Sequence, residues 1–228
     1  MSLAAPTLTA QPTLAAPELR SVEIPRSVEI LASVRQTFAE KGFDGASMQD
    51  LARAAGMSVG NFYRYFPSKS AIVEALISSD LAETESQFRS ILDSPRPMQA
   101  LRDTLLWRIS QQQKTLEGQL WSEISAVARR KPEIGAVAAK MESQVVDYLT
   151  RIFAAETRLP LDEVQARFAP HAMFIVLLIK SVSCFCGANH RPERQDDLNG
   201  LIIRTIDATL SEISAAALPS ASLGRKTR

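Results

Sequence analysis

Between Ser58 and Lys69 the chain reads SVGNFYRYFPSK, which sets Phe62, Tyr63, Tyr65 and Phe66 beside Asn61, Arg64 and Lys69 with no acid among them. Side chains of these types suit a polyanion whose edges carry information. The Asn61 amide matches the donor and acceptor of adenine, and the Arg64 guanidinium matches the paired acceptors of guanine. The hydroxyls of Tyr63, Tyr65, Ser47 and Ser58 and the Lys69 ammonium suit phosphate oxygens, which fix register without reading sequence. Such chemistry requires the four rings to divide between two faces. Counting about 100° per residue from Phe62, Phe66 falls at about 40°, so both belong to the core. Gly60, Arg64 and Asn61 fall at about 160°, 200° and 260°, and Tyr63 and Tyr65 flank them at about 100° and 300°. Gly60 costs its helix about 1 kcal/mol relative to alanine, a cost offset if another backbone approaches closely there. Lys69 lies in the first turn of the next helix, where free amides also favour an anion.

The elements that must hold this face are short and sharply punctuated. A first helix is predicted from about Arg26 to Lys41, entered at Pro25 and left at Gly42, with Ile30, Val34 and Phe38 as its buried stripe. A second begins at Ser47, a good N-cap with Asp50 three residues on, and carries Met48, Leu51, Ala52 and Ala55 at helical spacing. Gly56 ends it and Ser58 caps a third. Two short helices joined by a tight glycine-containing turn describe a helix-turn-helix, whose second helix enters the major groove of DNA.

The run Phe38-Ala39-Glu40-Lys41-Gly42-Phe43, then Ser47, then Leu51-Ala52-Arg53-Ala54-Ala55-Gly56-Met57-Ser58, then Gly60-Asn61-Phe62-Tyr63-Arg64-Tyr65-Phe66-Pro67-Ser68-Lys69 resembles the DNA-binding region of TetR-type transcriptional regulators. The resemblance covers about Glu29 to Leu76. It implies an N-terminal three-helix DNA-binding domain, a larger helical ligand-binding and dimerising domain, and repression relieved by a small molecule. Ser47, Ser58, Gly60, Asn61, Tyr63, Tyr65 and Lys69 match positions that commonly touch DNA in that family. Val59 is also counted among the DNA-binding candidates but departs from the family pattern, in which a lysine is frequent, and this puts one phosphate or base contact in question.

The remainder of the 228 residues is read by period and composition. An all-α chain of about nine helices is expected, the later ones at about 68–92, 98–113, 116–130, 133–156, 161–185 and 195–217, with almost no strand. The expected divisions are a disordered arm over 1–24, the helix-turn-helix domain over 25–70, the ligand-binding and dimerisation domain over 71–217, and a disordered basic tail over 218–228. In the larger domain Trp107, Trp121, Met141, His171 and Phe174 are candidates to line an apolar or aromatic effector's cavity, with Arg108 and Gln111 as polar partners. The apolar stretch Ala172 to Ile179 and the long stripe of the last helix exceed what one core would cover, so a homodimer on a pseudo-palindromic DNA operator is expected.

Several classes are disfavoured. A net charge of +1 gives no global argument for nucleic acid or membrane. Cys184 and Cys186 are too few and too close for a secreted disulfide framework, which points to a reducing cytoplasm. On a continuous helix they also diverge, and with His190 they lack the four-ligand spacing of structural zinc, so no metal is expected. Pro6, Pro12 and Pro17 interrupt any signal peptide, and the Ala172 to Ile179 stretch stops at Lys180, far short of the roughly 20 residues that span a bilayer. With two histidines and no nucleophile-base pair or phosphate-cradling loop, no catalytic residue and no cofactor is expected, and an all-helical enzyme is the weaker alternative. A helical interaction protein of the same fold with altered or lost DNA binding is the other.

Overall fold

Short, capped helices come first and long ones follow. The computed structural model describes residues 26–112, 116–185 and 194–217. The arm of residues 1–24, the tail of residues 218–228, Cys186, His190 and the side chains of Gln111 and Cys184 lie outside the described residues. The described elements are helical throughout: α1 (Arg26–Gly45), α2 (Met48–Ala54), α3 (Val59–Tyr65), α4 (Lys69–Leu92), α5 (Pro97–Gln112), α6 (Leu116–Arg130), α7 (Pro132–Thr157), α8 (Leu161–Phe185) and α9 (Gln195–Ala215). No strand occurs among the described residues.

One boundary differs from the sequence expectation in an instructive way. Gly42 does not end α1; it kinks it, with φ 70° and ψ 172°, and the chain resumes helical geometry as far as Gly45. That conformation is open essentially to glycine alone. The kink swings Phe43 inward, where its ring stacks on Phe38 with centroids 6.1 Å apart.

The buried side chains form two clusters that share α4. Ile30, Val34 and Phe38 of α1, Leu51 of α2, Phe62 of α3 and Ile72, Val73, Leu76 and Ile77 of α4 make the first. Phe88 and Ile91, near the far end of α4, belong to the second, with residues of α5, α7, α8 and α9. The first cluster also takes in Leu120, Ile124 and Val127 of α6 and Ile134 of α7. The three-helix head therefore rests on α6 as well as on α4. Arg35 of α1 pairs with Asp80 of α4 at that seam; burial pushes the Asp80 carboxyl above its ordinary value despite the guanidinium. The α6–α7 hairpin is equally close, since a Cβ on Gly135 would stand 2.8 Å from the Ala128 carbonyl oxygen.

Phe62 is fully buried at the centre of the head. Phe62→Ala is expected to lower unfolding stability by about 3–5 kcal/mol, measured by urea denaturation; a loss under about 1 kcal/mol would place the ring outside the core.

Candidate nucleic-acid interface

The geometry of α3 is set by what surrounds its ends. Ser47 and Asp50 form a reciprocal capping box at the start of α2: Ser47 Oγ accepts from the Asp50 amide at 3.0 Å, and Asp50 Oδ2 accepts from the Ser47 amide at 3.1 Å. The Ser47 hydroxyl also donates to Asp50 at 2.6 Å, and Lys41 Nζ lies 2.9 Å from the same carboxylate. These contacts, led by the Ser47 hydroxyl and then Lys41, hold the Asp50 carboxyl far below the usual carboxylate range.

At the other end of α2 the Gly56 amide donates to Arg53 O at 3.0 Å and the Met57 amide to Ala52 O at 2.9 Å. That paired closure, with Gly56 left-handed at φ 64°, is a Schellman turn. Ser58 follows at once and its Oγ accepts from the Asn61 amide at 3.3 Å, starting α3. Turn and cap are adjacent, so the angle between α2 and α3 is fixed locally.

On α3, Phe62 and Phe66 turn inward with ring centroids 5.8 Å apart. Val59 is half-buried and packs against the first cluster. Gly60, Asn61 and Arg64 are exposed, and Tyr63 and Tyr65 keep 46% and 44% of their surface open. An open recess is lined by Asn61, Arg64 and Tyr65. Nothing lies within 4 Å of where a Cβ on Gly60 would stand, so packing inside the chain does not demand glycine there.

Lys69, at the start of α4, reaches back to α1. Its Nζ donates to Phe43 O at 2.7 Å and Asp44 O at 3.2 Å, and sits 4.9 Å from the Phe43 ring centroid. Two of its three donors thus close the end of α1, leaving one for an anion. Ser47 is likewise engaged in capping, although the residue remains exposed.

The candidate effector residues are not brought together. Trp121 of α6 and Met141 of α7 pack against the first cluster. His171 of α8 lies against Phe168 with ring centroids 5.3 Å apart, its Nε2 3.6 Å from Glu212. Trp107 is 60% exposed, Phe174 is 40% exposed, and Arg108 is half-buried. Among the described residues there is no His, Cys, Asp and Glu group that could hold a metal, and no helix long and apolar enough to cross a membrane. Sequence reasoning missed Glu123, Arg130 and Lys131, which meet the end of α1; a contact spanning 80 positions leaves no local signal.

A capped pair of short helices with an aromatic, amide and guanidinium face defines a helix-turn-helix protein. Residues 30–76 match the bacterial regulatory proteins of the tetR family. It is 27% identical over 131 residues to the HTH-type transcriptional regulator UidR of Escherichia coli (strain K12), covering 56% of this chain and 64% of that one. The fold is similar to that of Salmonella enterica GusR, with TM-score 0.66 and 21% identity over 86% of this chain and 98% of that one. It is also similar to AibR in complex with isovaleryl coenzyme A and operator DNA, with TM-score 0.56 and 18% identity over 78% of this chain and 97% of that one. The last two likenesses concern the fold.

The caps yield a prediction. Ser47→Ala is expected to cost about 0.5–2 kcal/mol of stability at neutral pH. Because the folded-state value of Asp50 is depressed, its contribution is present above the ordinary value of 3.8 and is lost as pH falls below it. Ser47→Ala should therefore flatten the acid-side fall in melting temperature, measured from about pH 6 to about pH 3; an unchanged acid profile would remove the capping box from the account.

Proposed function

We propose that the protein is a sequence-specific DNA-binding transcriptional regulator of the cytoplasm, a dimeric repressor released from its operator by a small apolar or aromatic effector. One observation carries the reading: α3 is capped and anchored so that Asn61, Tyr63, Arg64 and Tyr65 all face outward beside a glycine that the chain's own packing does not require. Asn61 and Arg64 are assigned to base edges. Tyr63, Tyr65, Ser58 and the remaining donor of Lys69 are assigned to phosphates, and Gly60 to close approach of the sugar-phosphate backbone. The solved relative AibR supports such a role, being seen with both operator DNA and an acyl-coenzyme A. The relatives are transcriptional regulators, and this favours a binding protein over an enzyme.

The functional division assigned here places DNA reading in residues 25–70 and effector binding and dimerisation in 71–217. Coupling of about 1–3 kcal/mol between effector and operator corresponds to a roughly 5- to 150-fold loss of DNA affinity.

Gly60→Ala separates this reading from a merely structural one. It is expected to stabilise the fold by up to about 1 kcal/mol while weakening binding to fragments selected from genomic DNA at fixed salt by about tenfold or more. Asn61→Ala and Arg64→Ala should each cost about 1–3 kcal/mol at the base pair they read and so shift the preferred sequence. If all three bind the selected fragments like the wild type, α3 is not the reading element.

Assembly is carried by a separate surface. Met173, Phe174 and Leu177 of α8 and Leu198 and Leu201 of α9 are exposed, Leu177 at 61%. Apolar side chains exposed together on adjacent helices mark an interface, and a two-fold pairing of α8 and α9 matches a pseudo-palindromic operator. Leu177→Glu is expected to give a monomer in sedimentation and to abolish tight operator binding; a wild-type monomer with full affinity would exclude the pairing.

A further inference from the structure

The kink at Gly42 exposes a stretch of backbone that the larger part of the molecule takes hold of. Glu123 of α6 accepts a hydrogen bond from the Phe43 amide through Oε2 at 3.2 Å. The same oxygen would lie 3.0 Å from a Cβ on Gly42, so the carboxylate sits directly against the glycine that makes the kink. Around this bond the grip widens. Arg130, at the end of α6, pairs with Asp44 at 2.9 Å, and Lys131 Nζ stands 5.4 Å from the Phe43 ring centroid. On the α4 side Lys69 holds the Phe43 and Asp44 carbonyls and lies over the same ring. Residues 42–44 are therefore clasped between the start of α4, which follows the reading helix, and the α6–α7 corner. That corner is stiff, because Gly135 lets the α7 backbone close on Ala128 of α6.

We propose that Glu123 is the positioning residue through which α6, by its bond to the Phe43 amide, sets the angle of the reading head. The inference rests on the proposed regulator function. A carboxylate bonded to a backbone amide has a narrow range of working geometry, because the bond weakens steeply with distance and angle. A sideways shift of α6 by more than about an ångström breaks it. The head then loses a contact that no residue of α1 to α3 can replace, since the ε-like geometry of Gly42 directs the Phe43 amide outward from the helix ladder. Arg130 and Lys131 are exposed or half-exposed charges that tolerate such a shift better. Specificity of the mechanical link lies with Glu123.

The test uses the full chain as wild type, Glu123→Ala and Glu123→Gln, the last retaining a carbonyl acceptor of the same length. Two readouts are taken: exchange of the Phe43 amide by NMR, and affinity for the genomic fragment the wild type selects against the same fragment with a single base pair inserted at its centre. Glu123→Ala is expected to lose Phe43 protection and to reduce discrimination against the insertion by about tenfold, with the salt slope of binding unchanged because phosphate contacts persist; Glu123→Gln restores most of both. A purely structural role would lower melting temperature yet leave discrimination as in the wild type, and that result overturns the proposal. So does unchanged Phe43 exchange in Glu123→Ala. If the wild type selects no fragment, the regulator reading fails and the role of Glu123 in DNA spacing fails with it. Exchange at Phe43 then still reports whether the latch itself exists, which keeps the two failures distinct.

Discussion

Burial of Phe62 and Phe66 is the constraint from which the exposed face of α3 follows. A seven-residue helix has too few turns to choose its own orientation, and isolated helices of that length do not persist in water. Two rings at i and i+4 supply the missing energy and direction together, because the side that carries them must turn inward. Asn61, Tyr63, Arg64 and Tyr65 then have nowhere to go but outward. Which side chains α3 exposes is thus a by-product of packing on its hidden face, and the Schellman turn at Gly56 with the cap at Ser58 removes the remaining freedom by fixing where α3 begins.

The head was legible in the sequence because its determinants are local. The Ser47 and Asp50 box spans three positions, the Gly56 turn five, and the Phe62 and Phe66 pair four, all within reach of periodicity and capping rules. The kink at Gly42 was only half legible: glycine announced a break, but not that helical geometry would resume after it. In the larger part the stripes were visible and their partners were not. Trp121 and Met141 look like any apolar residues at helical spacing, and that they pack against the first cluster leaves no mark in the sequence. Which stripe meets which is decided by helix crossing and by close approaches such as Gly135 on Ala128, and neither leaves a pattern in a single sequence.

Lys69 shows how one side chain can answer to two demands. A lysine in the first turn of a helix invites an anion, and the sequence pattern stops there. The structure bends the same ammonium back onto the Phe43 and Asp44 carbonyls, which the kink leaves in need of donors. Both uses are compatible, since an ammonium has three donors and a flexible stem. The consequence is a physical tie between the end of α1 and the start of α4, made by a residue that stays partly exposed. An anion arriving there would meet a charge already held in place, with little of the entropy loss that ordering a free lysine entails.

The division of buried residues along α4 bears on how such a molecule can move. Ile72, Val73, Leu76 and Ile77 bind one end of the helix to the head, while Phe88 and Ile91 bind the other to the second cluster. A single uninterrupted helix of 24 residues spans the two, so rotation of either cluster is carried along it as a rigid tilt. Were α4 the only tie, the head would swing freely about its own end of the helix. α6 supplies a second, laterally offset tie through Leu120, Ile124 and Val127 against Phe38 and Phe43. Two rigid supports fix an orientation where one fixes only a direction, and sliding one against the other changes the angle in discrete steps because packed apolar side chains resist continuous shear. The head's angle is therefore a property of the relative placement of α4 and α6, and any force that acts on either reaches α3 without a flexible joint.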